Sequence, residues 1–100
     1  MPVKVAVAQM DPKLGQKAAN LARILALLHE ATGQGARLVV FPECAVSGYG
    51  FATLEAGYAA AETIPGPATD ALAVTCRETN AYAVVGLLER DGSANLYNSA

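Results

Sequence analysis

The pattern that most restricts the fold is a strand, a helix and a second strand that follow one another before residue 42. Residues 2–10 are rich in valine and alanine, with β-branched valines at positions 3, 5 and 7, which is typical of a strand. Residues 37–41 (Arg-Leu-Val-Val-Phe) have the composition of a buried strand. Because two strands joined by a helix form a right-handed parallel unit, the sequence predicts an α/β fold.

The linking helix is predicted to begin near Gln16 and to stop at Gly33 and Gly35. Apolar residues in this segment recur at spacings of four and three, as on one face of an amphipathic helix. The expected apolar stripe consists of Leu14, Ala18, Leu21, Leu25 and Leu28, and the residues off that stripe are Lys13, Lys17, Asn20 and Arg23.

Two further helices are predicted after the second strand. The first covers residues 51–61 and is expected to break or fray at Gly57, because glycine is a poor helix former. The second covers residues 68–79, after a hard boundary at Pro65-Gly66-Pro67, and Asn80 can close it in the left-handed region. The residues expected to share one face of this helix are Ala68, Leu72, Thr75, Cys76 and Thr79.

The last part of the chain is predicted to be a strand and a hairpin. Residues 81–88 have the composition of a single strand. Asp91-Gly92 is a type I′ turn signal, so the chain is expected to reverse there into a final strand over residues 95–100.

Composition narrows the class of protein. The chain has 100 residues, of which 53% are hydrophobic and 16% charged, so a globally disordered chain is excluded and one small domain is expected. A net charge of −2 without a basic stripe argues against a nucleic-acid partner. No apolar run is long enough for a membrane span or a signal peptide, and two cysteines do not make a disulfide framework. We therefore expect a cytoplasmic protein with no membrane partner.

Glu43 is the leading candidate for a functional side chain. It follows Phe41-Pro42 and is the first polar side chain after the second predicted strand. Ligands of open α/β sheets bind at the carboxyl ends of the strands, where this carboxylate is expected to lie. Gly48 and Gly50 nearby would permit a close approach of backbone to a ligand. A solvated loop residue or a helix-capping partner remains an alternative interpretation of Glu43.

Other reactive residues have weaker support. Cys44 follows Glu43, but adjacent side chains of an extended chain point to opposite sides, which disfavours proton transfer between the two. Cys76 lies on the apolar face of its predicted helix and is interpreted as a core residue. His29 lies near the end of the first helix with no triad partner in the sequence. We predict no metal site.

The order of these motifs resembles the carbon–nitrogen hydrolases of the nitrilase superfamily. The resemblance covers nearly the whole chain, and its motifs occur in the family's order. It is carried by Val5-Ala6-Val7-Ala8-Gln9, Asn20, residues 36–43, Ser47-Gly48-Tyr49, Pro65-Gly66-Pro67, Val84-Val85-Gly86 and Leu96-Tyr97-Asn98-Ser99-Ala100.

The resemblance implies a fold, a mechanism and a set of partners. It implies the N-terminal part of an α-β-β-α sandwich, with residues 1–100 a partial carbon–nitrogen hydrolase domain truncated at its C-terminus. Glu43 matches the family's general base, which activates a cysteine thiol while a lysine stabilises the tetrahedral intermediate. Tyr49 matches a loop beside the substrate. The implied substrate is a small amide or nitrile, with no cofactor and with assembly as a homo-oligomer.

The family's lysine and cysteine lie downstream of this sequence. Neither the upstream lysines (Lys4, Lys13 and Lys17) nor Cys44 and Cys76 match them. We therefore expect residues 1–100 alone to be inactive, and expect half a sandwich to expose apolar sheet surface and to associate. The alternative is a short non-catalytic α/β module that binds a ligand or partner at the same sheet edge. The reading frame after Ala100 would discriminate the two.

Overall fold

The computed structural model describes residues 2–100 and arranges them as five strands and three helices. In chain order, the elements are β1 (Val5–Val7), α1 (Lys17–Gly33), β2 (Leu38–Val40), α2 (Leu54–Ala60), α3 (Pro67–Thr79), β3 (Tyr82–Val84), β4 (Leu87–Arg90) and β5 (Leu96–Ser99). The first three strands form a parallel sheet in the order β1-β2-β3, and β4 pairs with β5 in an antiparallel hairpin. The predicted α/β class and the parallel strand–helix–strand unit are confirmed.

The two faces of the parallel sheet have different surroundings. Ala6, Val39 and Ala83 occupy matching positions on the three strands and pack into the core shared with the helices. Since side chains alternate along a strand, their neighbours point to the other face. That face is apolar but open, with Val7 80% and Tyr82 74% exposed. Self-association through this face stays a prediction.

The buried stripe of α1 differs from the predicted one. Asn20, Ile24 and Leu28 are the buried residues of this helix, whereas Ala18 is exposed and Leu14 precedes the helix. The prediction failed because it placed an asparagine on the solvent side. An amide can be buried when its donors and acceptor all have partners, and those of Asn20 do.

Helix α3 agrees with the sequence expectation. Ala68, Leu72 and Thr75 are buried, and Cys76 packs against the core as predicted. Asn80 follows the helix in the left-handed region, with φ 53° and ψ 47°. Within residues 2–100, none of the helices has the length and apolarity required to cross a bilayer.

The single strand predicted over residues 81–88 is wrong, because the chain changes partners at Gly86. β3 ends at Val84 in the parallel sheet, and β4 starts at Leu87 in the hairpin. A Cβ atom on Gly86 would lie 2.6 Å from the Pro42 carbonyl oxygen and 2.8 Å from the Glu43 Cα. The backbone after β2 therefore lies directly against the junction, and only a glycine fits there.

The hairpin turn is not the predicted type I′ turn. Arg90 pairs with Leu96, and the Asp91 N–H donates to the Asn95 carbonyl at 3.3 Å. Three residues lie between Asp91 and Asn95, and the left-handed one among them is Ala94, with φ 63°. A three-residue hairpin loop places its left-handed residue in this position, where glycine is usual.

Helix α2 is continuous through Gly57, contrary to the predicted fraying. Thr53 caps its N-terminus, with its hydroxyl oxygen accepting from the Ala56 N–H at 3.0 Å. Gly57 is buried, and a Cβ atom there would lie 3.5 Å from a Leu96 methyl group. This distance is an ordinary van der Waals contact, so α2 packs against the hairpin here without requiring a glycine.

Candidate active site after the second strand

Glu43 lies just past the carboxyl end of β2, as predicted. The sheet ladder extends to Phe41, whose N–H donates to the Val84 carbonyl at 2.8 Å, and Pro42 then ends it. Residues 43–47 form a turn that places Glu43 at the surface. A cleft of about 300 Å³ opens beside it, lined by Met10, Asp11, Pro12, Pro42, Glu43 and Tyr49.

Both predicted site residues therefore line one cleft. Tyr49 is 69% exposed, so its ring is accessible from solvent. Asp11 contributes a second carboxylate that the sequence interpretation did not select. The cleft has acidic and aromatic lining, which suits a small polar molecule more than an extended apolar one.

Asn20 anchors the turn from beneath. Its Nδ2 donates to the carbonyls of Lys13 at 2.7 Å and Val46 at 3.0 Å, and its Oδ1 accepts from the Lys13 N–H at 2.8 Å. The side chain is 3% exposed. This one amide joins α1 to the loop before it and to the turn that carries Glu43. Asn20 is one of the residues that carry the family resemblance, and this was the only sequence signal for it. Its burial was not predicted.

Gly48 closes the turn through packing within the protein. Its φ is +71°, and a Cβ atom there would lie 2.9 Å from the Leu14 Cα. The neighbouring Ser47 carbonyl accepts from the Gly15 N–H at 2.8 Å. We expected a ligand to approach the Gly48 backbone closely. In the structure, residues 13–15 of the chain itself make that close approach.

Asn98, on β5, contacts both Glu43 and Cys44. Its Nδ2 donates to Glu43 Oε1, and its Oδ1 accepts from the Cys44 Sγ at 3.9 Å. The sequence placed Asn98 within a family-like motif but gave it no role. Only the folded hairpin brings it to Glu43, so spacing along the chain could not have indicated the contact.

Cys44 is poorly suited to act as a nucleophile. It is 5% exposed, and its backbone has a left-handed φ of 49°. Burial raises the pKa of the Cys44 thiol, and the negative charge of Glu43 raises it further. The expectation that Cys44 is not the nucleophile thus gains support. The reason given from sequence was wrong, since residues 43–47 form a turn and not an extended segment.

The lysines of the chain have partners of their own. Lys4 Nζ donates to the Gln34 carbonyl at 2.8 Å, and Lys13 Nζ lies 2.6 Å from an Asp11 oxygen. Lys17 Nζ lies 3.3 Å from Glu62 Oε2, and the other Glu62 oxygen accepts from the Ala68 N–H at the start of α3. His29 is exposed on α1. Each of the three lysines therefore contacts another group of this chain, as structural residues do.

A family model of carbon–nitrogen hydrolases matches residues 4–100 of this chain. A nitrilase of Pyrococcus abyssi is 43% identical over 99 residues, which are 98% of this chain and 37% of that protein. The omega-amidase NIT2 of Danio rerio is 41% identical over 83 residues, covering 83% of this chain and 29% of the relative. The chain thus spans about a third of the length of these relatives.

Solved structures agree with the sequence relatives. The crystal structure of an N-terminal amidase superposes with a TM-score of 0.81 at 26% identity, over 96% of this chain and 24% of that one. Nit3 of Saccharomyces cerevisiae, a member of the nitrilase superfamily, gives a TM-score of 0.78 at 25% identity, over 96% of this chain and 37% of that one. The mixed arrangement of helices and strands described above is the one these structures share.

Proposed function

Because the chain belongs to the carbon–nitrogen hydrolase family, we propose that it serves in the hydrolysis of small amides or nitriles, with Glu43 as the general base. The observation that carries this proposal is the position of Glu43. Its carboxylate lies at the carboxyl end of β2, lines a cleft and has one oxygen held by Asn98. A base must be accessible to the group it deprotonates and fixed in direction, and this arrangement provides both.

The proposed reaction is nucleophilic catalysis by a thiol. Glu43 takes the proton of a cysteine thiol, and the thiolate sulfur attacks the carbonyl carbon of an amide. Protonation of the nitrogen lets the C–N bond break and ammonia leave, and a thioester remains. Water, deprotonated by Glu43, then attacks the thioester and releases the carboxylic acid and the thiol. A nitrile first gives a thioimidate, to which one water adds before ammonia leaves, and a second water then hydrolyses the resulting thioester.

We place the nucleophilic thiol and the lysine of this mechanism outside residues 1–100. Cys44 is buried with a raised pKa, and Cys76 belongs to the core. The lysines of this chain lie in the contacts described above. This chain would therefore supply the base and part of the cleft wall. Residues 1–100 without further polypeptide are expected to release no ammonia.

The substrate is proposed to be a small amide, with Tyr49 on the substrate side of the cleft. Both the nitrilase and the omega-amidase relatives carry names that refer to C–N bond cleavage. A cleft of about 300 Å³ with two carboxylates and one aromatic ring favours a compact polar molecule. We further propose that the protein is cytoplasmic and that it forms a homo-oligomer; the open apolar sheet face supports the association alone.

The test compares Glu43 with the other carboxylate of the cleft. The reading frame that contains this chain is expressed together with any continuation, and ammonia release from a panel of small amides and nitriles is measured. Glu43→Gln is expected to lower kcat about 10²- to 10⁴-fold, because proton transfer to the base is lost. Asp11→Asn removes the other carboxylate of the cleft wall, so its effect is expected on KM, with kcat changed by less than about threefold.

Two outcomes would contradict the proposal. Glu43→Gln with unchanged kcat would remove Glu43 from the mechanism. Ligand binding without turnover by the complete reading frame would favour the non-catalytic module instead. Circular dichroism of both variants establishes that loss of activity is not loss of fold.

A further inference from the structure

The hairpin formed by β4 and β5 meets the Glu43 residue at two points. At its start, Gly86 lies against the backbone of residues 42–44, with a hypothetical Cβ 2.8 Å from the Glu43 Cα. Near its end, Asn98 donates from Nδ2 to Glu43 Oε1. We propose that Asn98 is a positioning residue, which fixes the direction of the Glu43 carboxylate while Gly86 fixes its backbone. This inference rests on the proposed role of Glu43 as base.

Cys44 contacts the other end of the Asn98 amide. The thiol of Cys44 lies 3.9 Å from Asn98 Oδ1, within reach of a weak S–H···O hydrogen bond. Burial and the charge of Glu43 both raise the pKa of this thiol, so it stays protonated at neutral pH and can donate. The Glu43 carboxylate oxygen accepts, so the amide nitrogen must lie on its side, and the amide oxygen then faces the Cys44 thiol.

The two oxygens of the Glu43 carboxylate therefore have different roles. Oε1 receives the Asn98 N–H, no hydrogen bond within residues 2–100 is described for Oε2, and the Glu43 residue lines the cleft. A glutamate side chain has several rotatable bonds and loses its direction readily when nothing holds it. With Oε1 held, Oε2 has a defined position from which to accept a proton.

The hairpin also contains a matched control for Asn98. Asn95 belongs to the same hairpin, but its Nδ2 donates to Asp91 Oδ2 at 2.9 Å and not to Glu43. Both asparagines are exposed and both donate to a carboxylate. A change at Asn95 perturbs the hairpin in a comparable way, but leaves the Glu43 contact intact.

The first experiment is independent of catalysis. The side-chain amide resonances of Asn98 and Asn95 are followed by ¹H–¹⁵N NMR in the wild-type chain, in Glu43→Gln and in Cys44→Ala. Both variants are expected to move the Asn98 side-chain signals by more than the Asn95 signals, because Glu43→Gln replaces a charged acceptor with a neutral amide and Cys44→Ala removes the thiol. Asn98 signals that stay in place in Glu43→Gln would overturn the inference.

The second experiment measures kinetics in the hydrolytic protein that contains this chain. Asn98→Ala is expected to lower kcat about 10- to 100-fold with KM changed less than about twofold, since the base loses its direction but the cleft persists. Asn98→Ser, which keeps a donor, is expected to recover part of that loss. Asn95→Ala is expected to leave kcat within about twofold of wild type.

The outcomes separate this inference from the proposed function. Unchanged kcat in Asn98→Ala, or an equal loss in Asn95→Ala, would overturn the positioning role while Glu43 remained the base. If the wild-type protein hydrolyses no amide or nitrile, the proposed function fails, and the catalytic consequence of the Asn98 contact fails with it. The NMR result then still decides whether Asn98 holds the Glu43 carboxylate.

Discussion

Two turns of this molecule each carry a carboxylate, and they hold it in opposite ways. The Asp91 carboxylate accepts from the N–H groups of Ser93 and Asn95, from the Asn95 side chain and from the Tyr97 hydroxyl, at 2.7 to 3.1 Å. All of these donors lie within six positions of Asp91 along the chain. Glu43 accepts one described hydrogen bond, from Asn98, which lies 55 positions away.

The difference separates a carboxylate held by its own loop from the carboxylate proposed as the base. The Asn95 side chain contributes most to holding the pKa of Asp91 at about 2, with the Ser93 N–H and the Tyr97 hydroxyl following. A carboxylate stabilised by its own loop in this way is a poor proton acceptor. Glu43 instead has its backbone held by packing and one oxygen held by a distant strand, so its second oxygen can serve a reaction.

The largest expected effect comes from filling the space behind Glu43. Gly86→Ala places a Cβ atom within 2.6 to 2.8 Å of three backbone atoms of residues 42–44 and is expected to destabilise the fold by about 3 kcal/mol, at the upper end of the usual cost of overpacking. Urea denaturation measures this. The control is Gly92→Ala, in the Asp91 turn, where a Cβ atom meets nothing within 4 Å and the expected change is less than about 0.5 kcal/mol. Equal effects at the two sites would break the comparison.

A second substitution tests the support beneath the Glu43 turn. Asn20→Ala removes three hydrogen bonds and leaves the Val46 carbonyl buried without its partner, at an expected cost of about 2–4 kcal/mol. Asn95→Ala in the exposed Asp91 turn is expected to cost less than about 1 kcal/mol. The two unfolding free energies are compared in the same buffer. A smaller loss for Asn20→Ala than for Asn95→Ala would contradict the assignment of Asn20 as the anchor.

A third substitution relieves strain in the Asp91 turn alone. Ala94 has φ 63°, a region that costs a residue with a Cβ atom about 1 kcal/mol. Ala94→Gly removes this cost but adds freedom to the unfolded chain, so we expect a net gain of about 0.5 kcal/mol in unfolding free energy. Hydrolytic activity should not change, because the turn is remote from the Glu43 contacts. A loss of stability would show that Ala94 is not strained.

The smallest expected effect is a dependence on pH. The pKa of Asp91 is about 2 in the folded chain against an ordinary 3.8, so the unfolded chain binds more protons between these values. The stabilisation by Asp91 is present above its ordinary pKa and is lost as the pH falls from about 4 to about 2. The stability difference between wild type and Asp91→Asn should shrink over this range. A difference that does not change with pH would contradict the loop network.

The sequence predicted what depends on local pattern and on position in a sheet. The parallel strand–helix–strand unit, the face of α3 and its closure at Asn80 follow from periodicity and from the conformational preference of asparagine. The place of Glu43 follows from Pro42 ending a buried strand. Each of these needs only neighbouring residues, so spacing was sufficient to find them.

The remaining features depend on contacts between distant residues. Asn20 looked like a surface residue because its partners lie in a loop and a turn that meet only in the fold. Gly86 looked like part of a continuous strand because the backbone that lies against it belongs to residues 42–44, which are distant in the sequence. Asn98 became a site residue only through the hairpin. From sequence alone, a polar side chain is assigned to the surface because of its residue type. Whether it is buried depends on the hydrogen-bond partners that folding brings close to it.

The contact between Asn98 and Glu43 has a consequence for the order of events during translation. Asn98 follows Glu43 by 55 positions, so a ribosome adding about 5–20 residues per second makes the amide roughly 3–11 s after the acid. Over that interval the nascent chain can form β1, α1 and β2, but the carboxylate has no partner from β5. The acid therefore acquires its fixed direction only after β5 has been made and the hairpin has packed against it.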